Sequence, residues 1–123
     1  MSPRPLSNEE DSLLRFLLAP WAQAEAQILR DQIDSLQVID DEPPEDPTII
    51  FEVAPGTRRA DDLDGCVVLA VTPDLVNAQV LVRNGFLYAL DVYADDPTMK
   101  TVRLPSPDEL QFVLPDETRW RPD

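Results

Sequence analysis

The sequence predicts an α+β domain: two N-terminal helices packed on an antiparallel sheet of four to six strands. Three observations carry this. Apolar residues recur at helical spacing up to about residue 36 and then switch to alternation. An Asn-Gly pair, Asn84-Gly85, separates two apolar stretches, and this pair favours the type I′ turn of a two-residue hairpin, where both positions need positive φ. The 123 residues suit one domain, 1–123, with 1–6 and 115–123 as peripheral tails.

Ser7-Asn8-Glu9-Glu10 forms a capping box, with the Ser7 hydroxyl on the Glu10 N–H and the Glu10 carboxylate reaching back. Leu13, Leu14, Leu17 and Leu18 follow at helical spacing, and Pro20 stops the helix near Ala19. Pro20 then suits the first position of a second helix. Ala22, Ala26, Leu29, Ile33 and Leu36 are its apolar stripe, and Gln23, Glu25, Arg30, Asp31 and Asp34 its polar side.

Residues 36–40 are a short strand candidate. In 49–53, Ile49, Phe51 and Val53 alternate with Ile50 and Glu52, the pattern of a half-buried strand. Residues 54–65 read as a long polar loop. The continuous apolar run 66–71 reads as a central strand covered on both faces. At the hairpin, the turn sets Val82 opposite Leu87 and Leu81 opposite Tyr88. Strict alternation would place Leu87 and Leu90 on opposite faces, and a bulge near Tyr88-Ala89 would return Leu90 and Val92 to the side of Leu87. Residues 95–98 suit a turn, 102–104 an edge strand, 105–110 a proline-led turn and 110–114 a last strand.

Composition excludes several chemistries. There is no histidine, so Ser-His and Cys-His nucleophile systems are absent. The single cysteine, Cys66, reads as a small buried hydrophobe beside Val67 and Val68. Only 3 glycines occur, in no phosphate-cradling array. Asp62-Leu63-Asp64-Gly65 resembles the middle of a calcium loop, but Ala60 and Val71 would stand where an EF-hand needs its first and last ligands. No metal, cofactor or catalytic residue is therefore expected. Neither is a leader or a membrane span, since residues 13–18 are short, contain Arg15 and follow three acids. The expected location is the cytoplasm.

The net charge of −14 opposes direct contact with nucleic acid or anionic membrane and favours a basic partner. Residues 40–64 hold nine acids against Arg58 and Arg59, a net of −7 and half the total. Candidate partner-binding residues are Asp40, Asp41, Glu42, Glu45, Asp46, Asp61, Asp62, Asp64, Asp95 and Asp96. Solvated, merely solubilising loops are the plain alternative. A second candidate surface is apolar: Leu81, Phe86 and Tyr88.

Arg4-Pro5-Leu6-Ser7 with Glu9-Glu10, the leucines of 13–18, the hairpin Val82-Arg83-Asn84-Gly85 with Leu87, Leu90, Val92 and Tyr93, and the closing Leu104-Pro105 with Pro107-Asp108 and Leu110 form one pattern. It resembles a family of small bacterial proteins of unknown function common in actinobacteria. The resemblance spans most of the chain, and its motifs are a cap, a hairpin and a turn, so it implies fold and no catalytic residues. Phe86, Tyr88 and Ala89 are more apolar than it implies. The expected function is that of an acidic binding protein, immunity- or antitoxin-like, that inhibits a basic partner such as a toxin. The alternative is an accessory or assembly domain, including a homodimer, that pairs through its sheet. An enzyme stands well behind both.

Overall fold

The computed structural model describes residues 3–21, 24–41, 48–60, 63–95, 98 and 102–112. Helix α1 spans Asn8–Leu18 and helix α2 Ala24–Gln32, which tightens into a 3-10 turn at Ile33–Ser35. Six strands follow: β1 Gln37–Asp41, β2 Ile49–Glu52, β3 Gly65–Val71, β4 Val76–Arg83, β5 Phe86–Ala94 and β6 Gln111–Phe112. All ladders are antiparallel, and the sheet order is β1-β2-β5-β4-β3-β6. The α+β class and the two helices on an antiparallel sheet are as the sequence predicts.

The start of α1 is built as its sequence dictates. Ser7 Oγ accepts from the Glu10 N–H at 3.1 Å, and Glu10 Oε1 accepts from the Ser7 N–H at 2.8 Å. Arg4 adds a two-pronged ion pair to Glu10 at 2.9 and 3.0 Å. The Arg4 backbone meanwhile exchanges hydrogen bonds with Val38, so part of the lead-in lies along the outer edge of β1. Arg4 is thus tied to the sheet and Leu6 packs against the core, in a segment expected to be a peripheral tail. Residues 115–123 lie outside the described residues.

The start of the second helix differs from expectation. Pro20 lies in a turn, and α2 begins at Ala24. Trp21, 1% exposed, fills the corner and donates its indole N–H to the Leu17 carbonyl at 2.6 Å. Arg30, expected on a solvated side, instead donates to the carbonyls of Leu18 and Trp21 at 2.6 and 3.2 Å. A cation at the carbonyl end of α1 satisfies acceptors that the helix leaves open. Ala26, Leu29, Ile33 and Leu36 are buried in one core with the α1 leucines. Ala22 lies outside the described residues.

The Asn84-Gly85 turn is present, with φ of 53° and 83°. Val82 pairs with Leu87 as expected, but Leu81 pairs with Ala89 and Tyr88 is the bulged extra residue. That bulge keeps Leu87, Leu90 and Val92 together in the core. A second bulge corrects the reading of 66–71. Cys66 pairs with Leu81, Val68 with Val80, and Val67 is extra, so Val67 and Val68 are both fully buried while Cys66 is left exposed on the other face. β3 is also next to the edge strand, and its other face is only partly covered. Residues 102–104 form no strand: Val102 and Leu104 pack against the core as irregular chain.

Ala60 and Leu63, in the polar loop region, close over the hairpin tip. The Ala60 N–H donates to the Gly85 carbonyl at 2.8 Å, and the Gly85 N–H to the Leu63 carbonyl at 3.0 Å. Gln32, 1% exposed, locks this junction. Its amide nitrogen donates to the carbonyls of Arg58 and Gly85 at 2.9 and 3.0 Å, and its oxygen accepts from the Leu87 N–H at 2.8 Å. The buried amide is thereby satisfied.

Candidate interaction surface

Both helices feed their apolar side chains into a single core on one face of the sheet. No described helix covers the other face. Opposed residues of antiparallel strands share a face, so the register gives this face residue by residue. One row crosses five strands: Asp40, Ile50, Ala89, Leu81 and Cys66. Two bulges enlarge that row. Ile39, the extra residue of β1, stands beside Asp40 opposite Ile50 and is 36% exposed. Tyr88, the extra residue of β5, stands beside Ala89 opposite Leu81.

On the tip side of this row lies the Arg83–Phe86 pair, and the Arg83 guanidinium sits 3.8 Å from the centre of the Tyr88 ring. On the other side lies a polar row. Gln79 donates to Asp91 at 2.6 Å, and the Thr48 hydroxyl donates to the same carboxylate at 3.1 Å. Glu52, two residues beyond Ile50 and exposed, falls on this face as well. The middle is therefore apolar, with Ile50 and Leu81 half-buried and Ala89 buried between them, and Asp40, Glu52 and Asp91 lie around it against one arginine. Leu81, Phe86 and Tyr88 are all half-buried here.

The acids singled out in the sequence fall in several places. Asp40 and Asp41 end β1. Asp64 is exposed at the hairpin tip, where its Oδ1 accepts from the Asn84 N–H at 3.3 Å. Asp95 is exposed at the opposite end of the same hairpin, its N–H bonded to the Leu75 carbonyl. The eight residues of β4 set Asp64 and Asp95 about 25 Å apart at roughly 3.3 Å per residue. They do not form one patch. Glu42, Glu45, Asp46, Asp61, Asp62 and Asp96 lie outside the described residues.

The chain matches no family model, no curated protein and no solved structure.

Sequence reasoning reached Asp40, Leu81, Phe86 and Tyr88 and noted Ala89 as unusually apolar, but missed Ile39, Ile50, Cys66, Glu52 and Asp91. The Asn-Gly turn fixes the β4–β5 register locally, and that register could have paired Gln79 with Asp91. The β2–β5 pairing joins strands distant in the chain, so nothing local places Ile50 beside Ala89. Elsewhere, a hollow of about 390 Å³ opens between the start of α1 and the 103–107 segment, beside Asn8, Glu9, Ser12, Arg103 and Ser106. Arg103 there is paired with Glu109 at 3.3 Å, and the Ser106 hydroxyl donates to the Asp108 carboxylate. Among the described residues no cluster of acids and cysteine could hold a metal ion. Also among them, no helix is long and apolar enough to cross a membrane.

Proposed function

We propose that this chain is a binding domain for a basic protein. It acts in the cytosol like an immunity protein or antitoxin, which occupies the basic cleft of a toxin, and it catalyses no reaction itself. One observation carries the reading: acids face outward on the sheet side where cations are scarce. Arginine ion pairs on the helical side and at the C-terminal turn include Arg4–Glu10, Arg15 with Asp11 and Asp34, and Arg103–Glu109. Asp40, Glu52, Asp64 and Asp95 are exposed and have no ion pair of this kind. With a net charge of −14, these acids attract a basic surface from a distance and set its orientation.

The test is affinity capture with the tagged full chain in its native host, eluted by a salt gradient. A basic protein released by rising salt, and inhibited on rebinding, supports this reading. Recovery of a constitutive subunit held regardless of salt would replace it with the second reading, an accessory domain that pairs through its sheet. The apolar row through Ile50, Ala89 and Leu81 favours that second reading.

A further inference from the structure

We infer that the face of the sheet that no described helix covers is the docking surface for that partner. The docking element is a segment in which lysine or arginine alternates with apolar side chains. This rests on the proposed function, and it adds a place and a chemistry. The apolar half of the argument is the row Ile50, Ala89, Leu81, with Ile39 and Tyr88 added to the same row by bulges in two different strands. A bulge re-aims side chains, and here both extra residues are apolar and both stand on the face that no described helix covers.

The charged half is complementarity. Asp40 ends the row, Glu52 stands beyond Ile50, and Asp91 lies in the next row. The face's one described cation, Arg83, lies over the Tyr88 ring, which holds its charge at the hairpin tip. A purely apolar partner would strip water from the exposed carboxylates of Asp40 and Glu52 without replacing it, whereas Asp91 is already held by Gln79 and Thr48. A purely cationic one would leave the apolar row uncovered. A second copy of this chain would set acid against acid, which opposes self-pairing. A segment carrying both kinds of side chain fits both halves.

Cys66 provides a probe that requires no mutation, since its exposed thiol pairs with Leu81 in the same row. The ligands are two synthetic peptides of about ten residues, long enough to cross the sheet at roughly 3.3 Å per residue. One alternates lysine with leucine and the other lysine with glycine, so the charge is equal. The full chain should bind the lysine-leucine peptide about tenfold more tightly, a difference set by the apolar contacts alone. That peptide should also slow alkylation of Cys66. Leu81→Ser should reduce the preference to about twofold, with the unfolding midpoint checked in parallel.

Equal affinity for the two peptides would overturn the inference, since charge alone would then explain binding. So would binding of the lysine-leucine peptide with Cys66 alkylated at its free rate, since the site would then lie elsewhere. A stable homodimer with Cys66 already protected would overturn it in favour of a second copy. The host partner separates this from the proposed function. A basic partner captured with Cys66 still reactive defeats the docking face alone, whereas recovery of no basic partner defeats the function as well.

Discussion

At Gly85 two demands meet. Its φ of +83° is one that side chains rarely adopt, and a Cβ there would lie 2.5 Å from the Ala60 carbonyl oxygen. The obstacle is backbone, held by the hydrogen bonds that dock Ala60 and Leu63 on the turn, so it cannot swing aside. Gly85→Ala should lower the unfolding free energy by about 2 kcal/mol or more, read from urea denaturation. An unchanged midpoint would mean that the loop does not sit on the turn. Gln32 serves the same junction with three hydrogen bonds. Gln32→Leu keeps most of the volume but strands one buried N–H and deprives two carbonyls, and should cost about 3 kcal/mol. Cys66 shows where reading residue by residue fails. Its neighbours Val67 and Val68 are core, and its own burial was expected from theirs. The bulge at Val67 puts two consecutive valines inside and leaves the thiol outside. A thiol reagent should therefore label the native protein at nearly the rate of the unfolded chain. Labelling that needs denaturant would contradict the exposed position.

Helix α1 opens with a device that depends on pH. Burial at Glu10 raises its carboxyl pKa, but the bonds from Arg4 and from the Ser7 N–H and hydroxyl outweigh this and hold it below the ordinary value of 4.5. A carboxyl with a lowered folded pKa contributes stability that is fully present above the unfolded value and is lost as pH falls through the folded one. Glu10→Gln should therefore cost about 1–2 kcal/mol at neutral pH, the scale of a cap with its charged hydrogen bonds. The gap from the parent chain should close as pH drops below 4.5. A gap that persists at low pH would mean that packing, and not the charge, is what Glu10 supplies. This box was legible in the sequence because a cap is chemistry between residues three apart. The hairpin was legible for the same reason: Asn-Gly suits positive φ, and the need to keep Leu87, Leu90 and Val92 on one side called for the bulge that Tyr88 provides. The start of α2 was misread because Pro20 fits a helix start and a turn equally well, and the turn is fixed by Trp21 and Arg30, residues that reach across to α1. Propensity carries no information about that reach.

For the whole molecule, charge is the property that composition announces and the fold distributes. The sequence concentrates a net −7 in residues 40–64, yet the sheet separates the described acids. Asp40 stands in the central row of the face that no described helix covers, Asp64 at the hairpin tip and Asp95 at the far end. The separation of Asp64 from Asp95 follows from the length of β4, but for Asp40 it was hidden from the sequence, because it depends there on β2 pairing with β5, across some forty residues of chain. It also assigns different kinetic roles. Charges at the rim of an interface act at a distance, through the rate of encounter, and salt screens them, since the Debye length falls from about 10 Å at 0.1 M to about 3 Å at 1 M. A carboxylate inside the contact acts on dissociation as well. Neutralising Asp61, Asp62 and Asp64 to asparagine should therefore slow association with the captured partner and flatten its salt dependence, with dissociation nearly unchanged. Asp40→Asn should also speed dissociation. At Asp40 and Asp64, both exposed, the change should move stability by only about half a kcal/mol. The decisive measurement is stopped-flow association and dissociation of both variants over a range of salt. If the on-rate of the loop variant matches the parent and neither responds to salt, the acids only keep the protein in solution. Binding, if it persists, must then come from the apolar row alone. If Asp40→Asn instead alters the on-rate but not the off-rate, Asp40 is a rim charge, and the docking surface is centred away from the row it shares with Ile50 and Leu81.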